Sequence, residues 1–226
     1  IMTLRCILRR YANSGTAAER KLNMKNQKIL RMTQLGILIA IIIVMAFTGL
    51  GYIRTGGLEI SLITVPVAIG AMVMGPGAGA VLGLAFGITS FLQCVFGLSA
   101  FGAQLLGINA FLTFLVCVPT RAAVGWLAGL IFKAIAKIDK TRTVGYFVTG
   151  LCTALLNTLL FMGVLLLCFW NTDYIQSLNV GGVNVFAFAV TFVGLNGALE
   201  MPACCVLGGA VAKALSKAKI NRVEQV

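Results

Sequence analysis

Two ionisable side chains, Arg121 and Glu200, lie within long apolar stretches of the sequence. Ionisable groups are costly inside a membrane and are candidates for function by default. Each lies about 12 or 13 residues before a lysine that ends its stretch, so both would lie roughly 18–20 Å from that end at 1.5 Å per helical residue. They could pair with each other and hold helices together. Alternatively, they could bind a small polar molecule, because a guanidinium pairs well with a carboxylate.

Further polar side chains lie at a similar distance from one end of other apolar stretches. Asn157 lies roughly 22 Å from the basic end of its stretch, and Thr89 and Gln93 lie roughly 21 and 27 Å from the Gly75 turn. Asn196 is one turn before Glu200 on the same helix face. Packing between helices needs no common depth, so the shared layer favours a ligand site. The predicted substrate-binding residues are Thr89, Gln93, Asn109, Arg121, Asn157, Asn196 and Glu200.

The composition predicts the kind of protein that positions this layer. Of the 226 residues, 59% are hydrophobic and only 11% are charged. Soluble domains carry about 25% charged residues, so this surface is too apolar to face water. At roughly 20–25 residues per span, the chain has room for five to seven transmembrane helices. We expect an all-α integral membrane protein with one domain.

The basic residues indicate the topology. The net charge is +12, but 16 of the 18 Lys and Arg residues fall into three patches, located before residue 32, at 133–142 and from 213 onward. Cytoplasmic loops carry such an excess of basic residues. Six crossings then place both termini and the 133–142 patch in the cytoplasm, with the polar layer in the outer half of the bilayer. This segregation argues against nucleic-acid binding.

Six helices are predicted, at about 32–49, 61–74, from the Gly75–Gly77 turn to 96, 119–136, 143–170 and 184–215. Pro119 is expected at the first position of the fourth helix. A seventh span at 103–118 would place the basic loop outside, so 97–118 is predicted to be an outer loop with a short re-entrant or capping helix. Residues 1–23 are expected to be a non-native or disordered leader, 24–220 the membrane domain and 221–226 a cytoplasmic tail.

Small residues recur every four positions on three helices. On the third helix they predict close packing inside the bundle, as they do at Gly125 and Gly129 on the fourth helix. Gly36 and Ala40 form a similar pair on an otherwise bulky first helix, where they could be a docking notch for a second membrane protein or serve internal packing. The third-helix glycines are Gly75, Gly79, Gly83 and Gly87.

Sequence signs of enzymatic chemistry are missing. The chain has no histidine, its seven cysteines show no CxxC spacing, and no metal site or cofactor is expected. There is no aspartate cluster and no GxxxxGK[ST] phosphate loop. We therefore expect no catalytic residues and no ATP hydrolysis by this chain through that route.

Several motifs occur together in a recognisable order. The stretch 66–79 reads PVAIGAMVMGPGAG and 82–93 reads LGLAFGITSFLQ. Pro119 and Arg121 precede a glycine-rich helix, Asn157–Thr158 lie in the fifth helix, and Asn196–Gly197 precede Glu200 in the sixth. In this order and spacing, residues 24–220 resemble the S components of energy-coupling factor (ECF) transporters, most like the pantothenate-type branch.

The resemblance implies a mechanism and a set of partners. S components are six-helix subunits that bind a vitamin on the outside and dock on a transmembrane T component powered by two ATPase subunits. The family's Ala-xxx-Ala docking motif is here Gly36-xxx-Ala40. The expected location is the bacterial cytoplasmic membrane. The best expectation for the ligand is pantothenate, and the related branches bind riboflavin, folate, thiamine precursors and other small molecules.

Two other classes of protein are alternatives to a vitamin-binding subunit. A self-sufficient secondary transporter of a small polar solute often shows internal repeats, and none is found here. A membrane-embedded enzyme is disfavoured by the missing histidine and aspartate clusters. For a carboxylate ligand such as pantothenate, Arg121 would be the clamp. For an uncharged ligand such as riboflavin, the aromatic residues Phe91, Phe96 and Trp126 would matter more.

Overall fold

The computed structural model describes residues 29–48, 51–55, 58–138, 143–178, 184–185, 187, 190 and 200–223. The chain divides into two compact units, 1–37 and 38–226. The described part of the first unit is the helical stretch 29–37. The second unit contains every other described element. The predicted leader 1–23 lies outside the described residues, as do the last three residues of the predicted tail.

Helices dominate the described residues. The first, α1, spans Ile29–Phe47. It is followed by α2 (Thr64–Met74), α3 (Pro76–Val95), α4 (Ala100–Ile108), α5 (Ala110–Ile138), α6 (Thr143–Phe169), α7 (Asp173–Leu178) and α8 (Gly209–Val223). Within the described residues, four helices are long and apolar enough to cross a membrane: α1, α3, α5 and α6. The predicted helical, multi-pass character is therefore confirmed.

The segment between α1 and α2 differs from its prediction. Residues 51–58 were expected to be a loop and residue 61 to begin the second helix. Instead, β1 (Tyr52–Thr55) and β2 (Leu58–Ser61) pair antiparallel, with Tyr52 opposite Ser61 and Thr55 opposite Leu58. Aromatic and β-branched residues on both sides of Gly56–Gly57 are typical of a hairpin. Helix α2 then begins at Thr64, with Pro66 in its first turn, where the lack of an N–H is tolerated.

Pro119 is not at a helix start, which corrects the prediction for 97–136. It lies inside the 29-residue helix α5. Prolines inside membrane helices are tolerated where neighbouring side chains satisfy the freed backbone groups. The missing N–H of Pro119 leaves the Leu115 carbonyl without its helical donor. In the same turn, the Thr120 hydroxyl donates to the Val116 carbonyl, and Arg121 Nη1 donates to the Cys117 carbonyl at 3.3 Å. The expected outer segment is therefore the short helix α4 followed by the first turns of α5.

The glycines of α3 pack against the backbone of α5, as predicted. A Cβ atom at Gly79 would collide with the Gly125 carbonyl, and one at Gly83 would collide with the Arg121 carbonyl. On α5, a Cβ atom at Gly129 would collide with the Pro76 backbone. Only residues without a side chain allow the two backbones this close. The α3–α5 contact thus fixes the backbone position of Arg121.

In the C-terminal region, Val185, Ala187 and Val190 are helical, and the continuous described helical stretch begins at Glu200. A π-helical turn, Cys204–Gly208, separates Glu200 from α8 and lies against Gly150 of α6, whose added Cβ would collide with the Cys204 carbonyl. The helical region continues to Val223 rather than ending near 215. Most of its predicted first half, 184–199, lies outside the described residues. A wider helical turn of this kind is frequent near functional positions.

Candidate functional site

Glu200 is buried at the meeting point of three helical segments. Only 2% of its surface is exposed, and its carboxylate accepts hydrogen bonds from α2 and α6. Thr64 Oγ1 lies 2.6 Å and Asn157 Nδ2 lies 2.9 Å from Oε1, while Thr158 Oγ1 lies 3.4 Å from Oε2. A buried carboxylate is tolerated only when hydrogen bonds replace its hydration. Glu200 is thus held by neutral donors.

Arg121 is buried and forms no ion pair with a carboxylate of the described residues. It is 6% exposed, and no salt bridge joins it to Glu200, although both residues are described. Its Cζ lies 4.7 Å from the ring centroids of Phe86 on α3 and Phe161 on α6. A desolvated cation–aromatic contact is worth about 2 kcal/mol. These rings support the charge without using the hydrogen-bonding capacity of the guanidinium.

Two buried polar atoms at this level lack a hydrogen-bond partner among the described residues. They are Arg121 Nε, a donor, and Asn157 Oδ1, an acceptor. Asn157 is 6% exposed. Asn157 and Phe161 lie one turn apart on the same face of α6, and Phe161 contacts the guanidinium, so the two orphan atoms belong to one region. Buried polar groups nearly always have partners, so this arrangement suits a bound molecule.

Gly83 provides a test of how the fold positions Arg121. We expect Gly83→Ala to destabilise the protein by about 1–3 kcal/mol, because the new methyl group must push α3 away from the Arg121 backbone. Thermal unfolding of the purified protein in detergent measures the effect. The matched control is Gly77→Ala, also on α3, because an added Cβ there meets nothing within 4 Å. Equal melting temperatures for the two variants would contradict the close α3–α5 contact.

Thr89 and Gln93, two more of the predicted substrate-binding residues, form hydrogen bonds to backbone carbonyls. The Thr89 hydroxyl donates to the Phe86 carbonyl at 2.9 Å on its own helix, so its bond is local. The Gln93 side-chain amide is 2% exposed and donates to the Ala46 carbonyl of α1. The described contact of Gln93 therefore joins two helices.

The last two predicted residues lie outside the central cluster. Asn109 is exposed and accepts a hydrogen bond from the Leu112 N–H at 3.1 Å, which caps the start of α5. Asn196 lies outside the described residues. Of the seven predicted residues, the structure thus brings Asn157 and Glu200 into direct contact. It places Arg121 beside Phe161, one turn along α6 from Asn157.

The predicted site residues did not include four members of this cluster. Thr64 was assigned only to a helix, Thr158 was named only within a family motif, and Phe86 and Phe161 were given no role. Phe161 could have been found, because it is four residues from Asn157 and therefore on the same helix face. Nothing in the sequence pairs Thr64 with Glu200, which is 136 positions away.

The described side chains that could bind a metal ion do not cluster. No group of three or more His, Cys, Asp or Glu residues within the described ranges could hold a metal ion. Among the described cysteines, Cys94, Cys117 and Cys204 are buried. The site is therefore built from amides, hydroxyls, one carboxylate and one guanidinium, which are groups that bind polar organic molecules.

Comparison with known proteins identifies the family. No curated protein matches the chain. A family does match: the model described as ECF transporter, substrate-specific component, covers residues 30–208, which include every residue of the cluster around Arg121 and Glu200. The chain therefore belongs to the substrate-specific components of ECF transporters, the multi-pass membrane subunits that bind the substrate and work with a T component and ATPases.

Proposed function

We propose that this subunit captures a small carboxylate-bearing vitamin, with pantothenate as the first candidate, for uptake by an ECF transporter. The observation that carries the proposal is Arg121: a buried guanidinium whose Nε has no hydrogen-bond partner among the described residues and which forms no salt bridge with a described carboxylate. Glu200 lies within electrostatic range of the guanidinium but forms no salt bridge with it, and a buried charge without a hydrogen-bonded counter-ion is expensive. A ligand carboxylate would supply a direct partner and accept two parallel hydrogen bonds.

The alternative of an uncharged ligand such as riboflavin has less support from the aromatic residues expected to serve it. Phe96 is 63% exposed and Trp126 is 49% exposed. Phe91 packs edge-on against Phe114, with ring centroids 5.4 Å apart. The aromatic rings nearest the site are instead the two that contact the Arg121 cation. Folate also carries carboxylates, so it stays within the proposed chemistry, whereas a thiamine precursor without a carboxylate does not.

Two measurements test the proposed function. Mass spectrometry of small molecules co-purified with the protein identifies the natural ligand, and calorimetry against a vitamin panel measures its affinity. We expect pantothenate or another carboxylate to bind and uncharged vitamins to bind weakly. High affinity for riboflavin with none for any carboxylate would overturn the proposal. Purification should also recover a T component and ATPase subunits, whereas a secondary transporter would purify alone.

We further propose that α1 is the docking helix. Ala40 is exposed, and Ile42 and Ala46, on the opposite side of the helix, are buried. Gly36, in the unit that ends at Ile37, is also exposed. A small residue at the centre of an exposed helix face lets another membrane helix approach closely. This arrangement supports the T component as the molecule that covers this face.

The proposed topology has six spans, with both termini in the cytoplasm of a bacterial cell. In a cysteine-free background, single cysteines at positions 137 and 217 should be labelled from the cytoplasm. A cysteine at position 173, at the start of α7, should be labelled from outside. The reason is that basic residues stay on the cytoplasmic side. Membrane-impermeant maleimide on intact cells and on inverted vesicles makes the measurement. External labelling at position 137 would contradict six spans.

A further inference from the structure

The three donors that surround Glu200 are not equivalent. The Thr64 hydroxyl lies 2.6 Å from Glu200 and 2.7 Å from the Ser61 carbonyl, so its single proton has two acceptors. The Thr158 hydroxyl is similarly shared, at 3.4 Å from Glu200 and 3.2 Å from the Ala154 carbonyl. The Asn157 amide donates to Glu200 at 2.9 Å and has no other acceptor in the described part of the chain. Asn157 is therefore the dedicated partner of Glu200.

This bond fixes which way the Asn157 amide points. The NH₂ end of the amide donates to Oε1 of Glu200, and a carboxylate oxygen that already accepts from Thr64 and Asn157 offers no proton to the other end. The carbonyl end, Oδ1, must then face away from Glu200. That oxygen is buried and has no hydrogen-bond partner among the described residues. Without Glu200, either end of the amide could face the site, because the two ends have nearly the same shape.

We infer that Glu200 is a positioning residue: it holds Asn157 so that Oδ1 accepts a hydrogen bond from the substrate. The inference rests on the proposed function, because it assumes a ligand in the region of Arg121. It adds a requirement to the ligand's chemistry. Beside the acid group bound by Arg121, the substrate must carry a hydroxyl or an N–H that reaches Asn157. Glu200 itself does not touch the substrate.

The consequence for specificity follows from the cost of unpaired groups. A ligand that places a second acceptor at Asn157 Oδ1 leaves two lone pairs facing each other. A site built to bond a donor rejects analogues that lack it, because its own buried polar group stays unpaired. A hydroxy acid or amido acid should therefore bind, whereas the same acid with the donor removed or methylated should bind weakly.

The test exchanges the carboxylate at position 200 and the amide at position 157. We expect Glu200→Gln to weaken binding of pantothenate, the probe, by about tenfold, which is close to the contribution of one hydrogen bond to affinity. The reason is that a glutamine amide can donate as well as accept and no longer forces one orientation. Asn157→Asp alone should abolish binding, because two carboxylates then face each other. The double variant Asn157→Asp with Glu200→Gln should recover affinity to within about threefold of wild type. In that variant the introduced glutamine can donate to one oxygen of the introduced aspartate, while the other oxygen of the aspartate faces the ligand.

The variants above form one double-mutant cycle, and a second double-mutant cycle covers the case in which Asn157→Asp fails to fold. In an Asn157→Ala background, Glu200→Gln should cost no further affinity, since the residue through which Glu200 acts is gone. Calorimetry measures both cycles, and size-exclusion profiles confirm folding. Losses that add in the second cycle, or no recovery by a folded double variant, would show that Glu200 contacts the ligand directly and overturn the inference alone. Failure of wild type to bind any carboxylate in the vitamin panel would overturn the proposed function as well.

Discussion

Arg121→Ala is expected to abolish detectable binding of a carboxylate vitamin, with a loss of about 2–5 kcal/mol, or roughly 30-fold to several thousand-fold in affinity. The guanidinium is 6% exposed, so the ligand acid that it binds is also removed from water. Alanine would leave that acid buried without a counter-charge. Isothermal titration of the purified protein with pantothenate, followed by the rest of the vitamin panel, measures the loss.

Arg121→Lys should weaken binding without abolishing it. Lysine retains the charge but cannot reproduce the planar two-point contact with a carboxylate, and it stacks less well on Phe86 and Phe161. Lys137→Ala is the matched control, because it removes a cation from the same helix at an exposed position. It should bind like wild type. Undiminished affinity in Arg121→Ala would reject the carboxylate clamp and favour an uncharged ligand.

The helical framework was predictable because the membrane restricts how a chain can satisfy its backbone. Long apolar runs between basic patches must be helices, and α3 and α6 lie within one or two residues of their predicted bounds. The close α3–α5 packing followed from glycines spaced by four. Pro119 was wrong as a boundary because α5 continues through it, and the side chains of Thr120 and Arg121 bond to carbonyls of the same turn. Such side-chain bonds depend on rotamers that sequence spacing does not specify.

The sequence predicted how far along its helix each site residue lies, but not which residues it bonds to. Heights along helices placed Arg121, Asn157 and Glu200 at similar levels, yet depth does not say which residue faces which. The Arg121–Glu200 salt bridge, which was the alternative to a ligand site, does not form between these two described residues, because Glu200 is bonded to α2 and α6 donors and Arg121 lies against two rings. Gln93 had a suitable depth, but its amide donates to α1. Rotation about the helix axis, set by packing over the whole bundle, decides these outcomes.

Ala40→Trp is expected to block cellular uptake while leaving substrate binding intact. If α1 docks through its exposed face, an indole at its centre must separate the two helices. Overpacking of this kind costs about 1–3 kcal/mol, or roughly 5- to 150-fold in the docking equilibrium. The ligand site is unaffected because its described contacts come from α2, α3, α5, α6 and the segment beginning at Glu200. Uptake of radiolabelled substrate by cells, beside calorimetry on the purified variant, separates the two steps.

The control for this experiment must add the same bulk to a different exposed helix face. Gly163 on α6 serves, because it is exposed and an added Cβ meets nothing within 4 Å. Gly163→Trp should therefore fold, bind and transport like wild type, since lipid yields where a docked helix does not. Co-purification of the T component should fall for Ala40→Trp and persist for Gly163→Trp. Normal uptake by Ala40→Trp would show that α1 is not the docking face and would direct attention to the other apolar surfaces of the bundle.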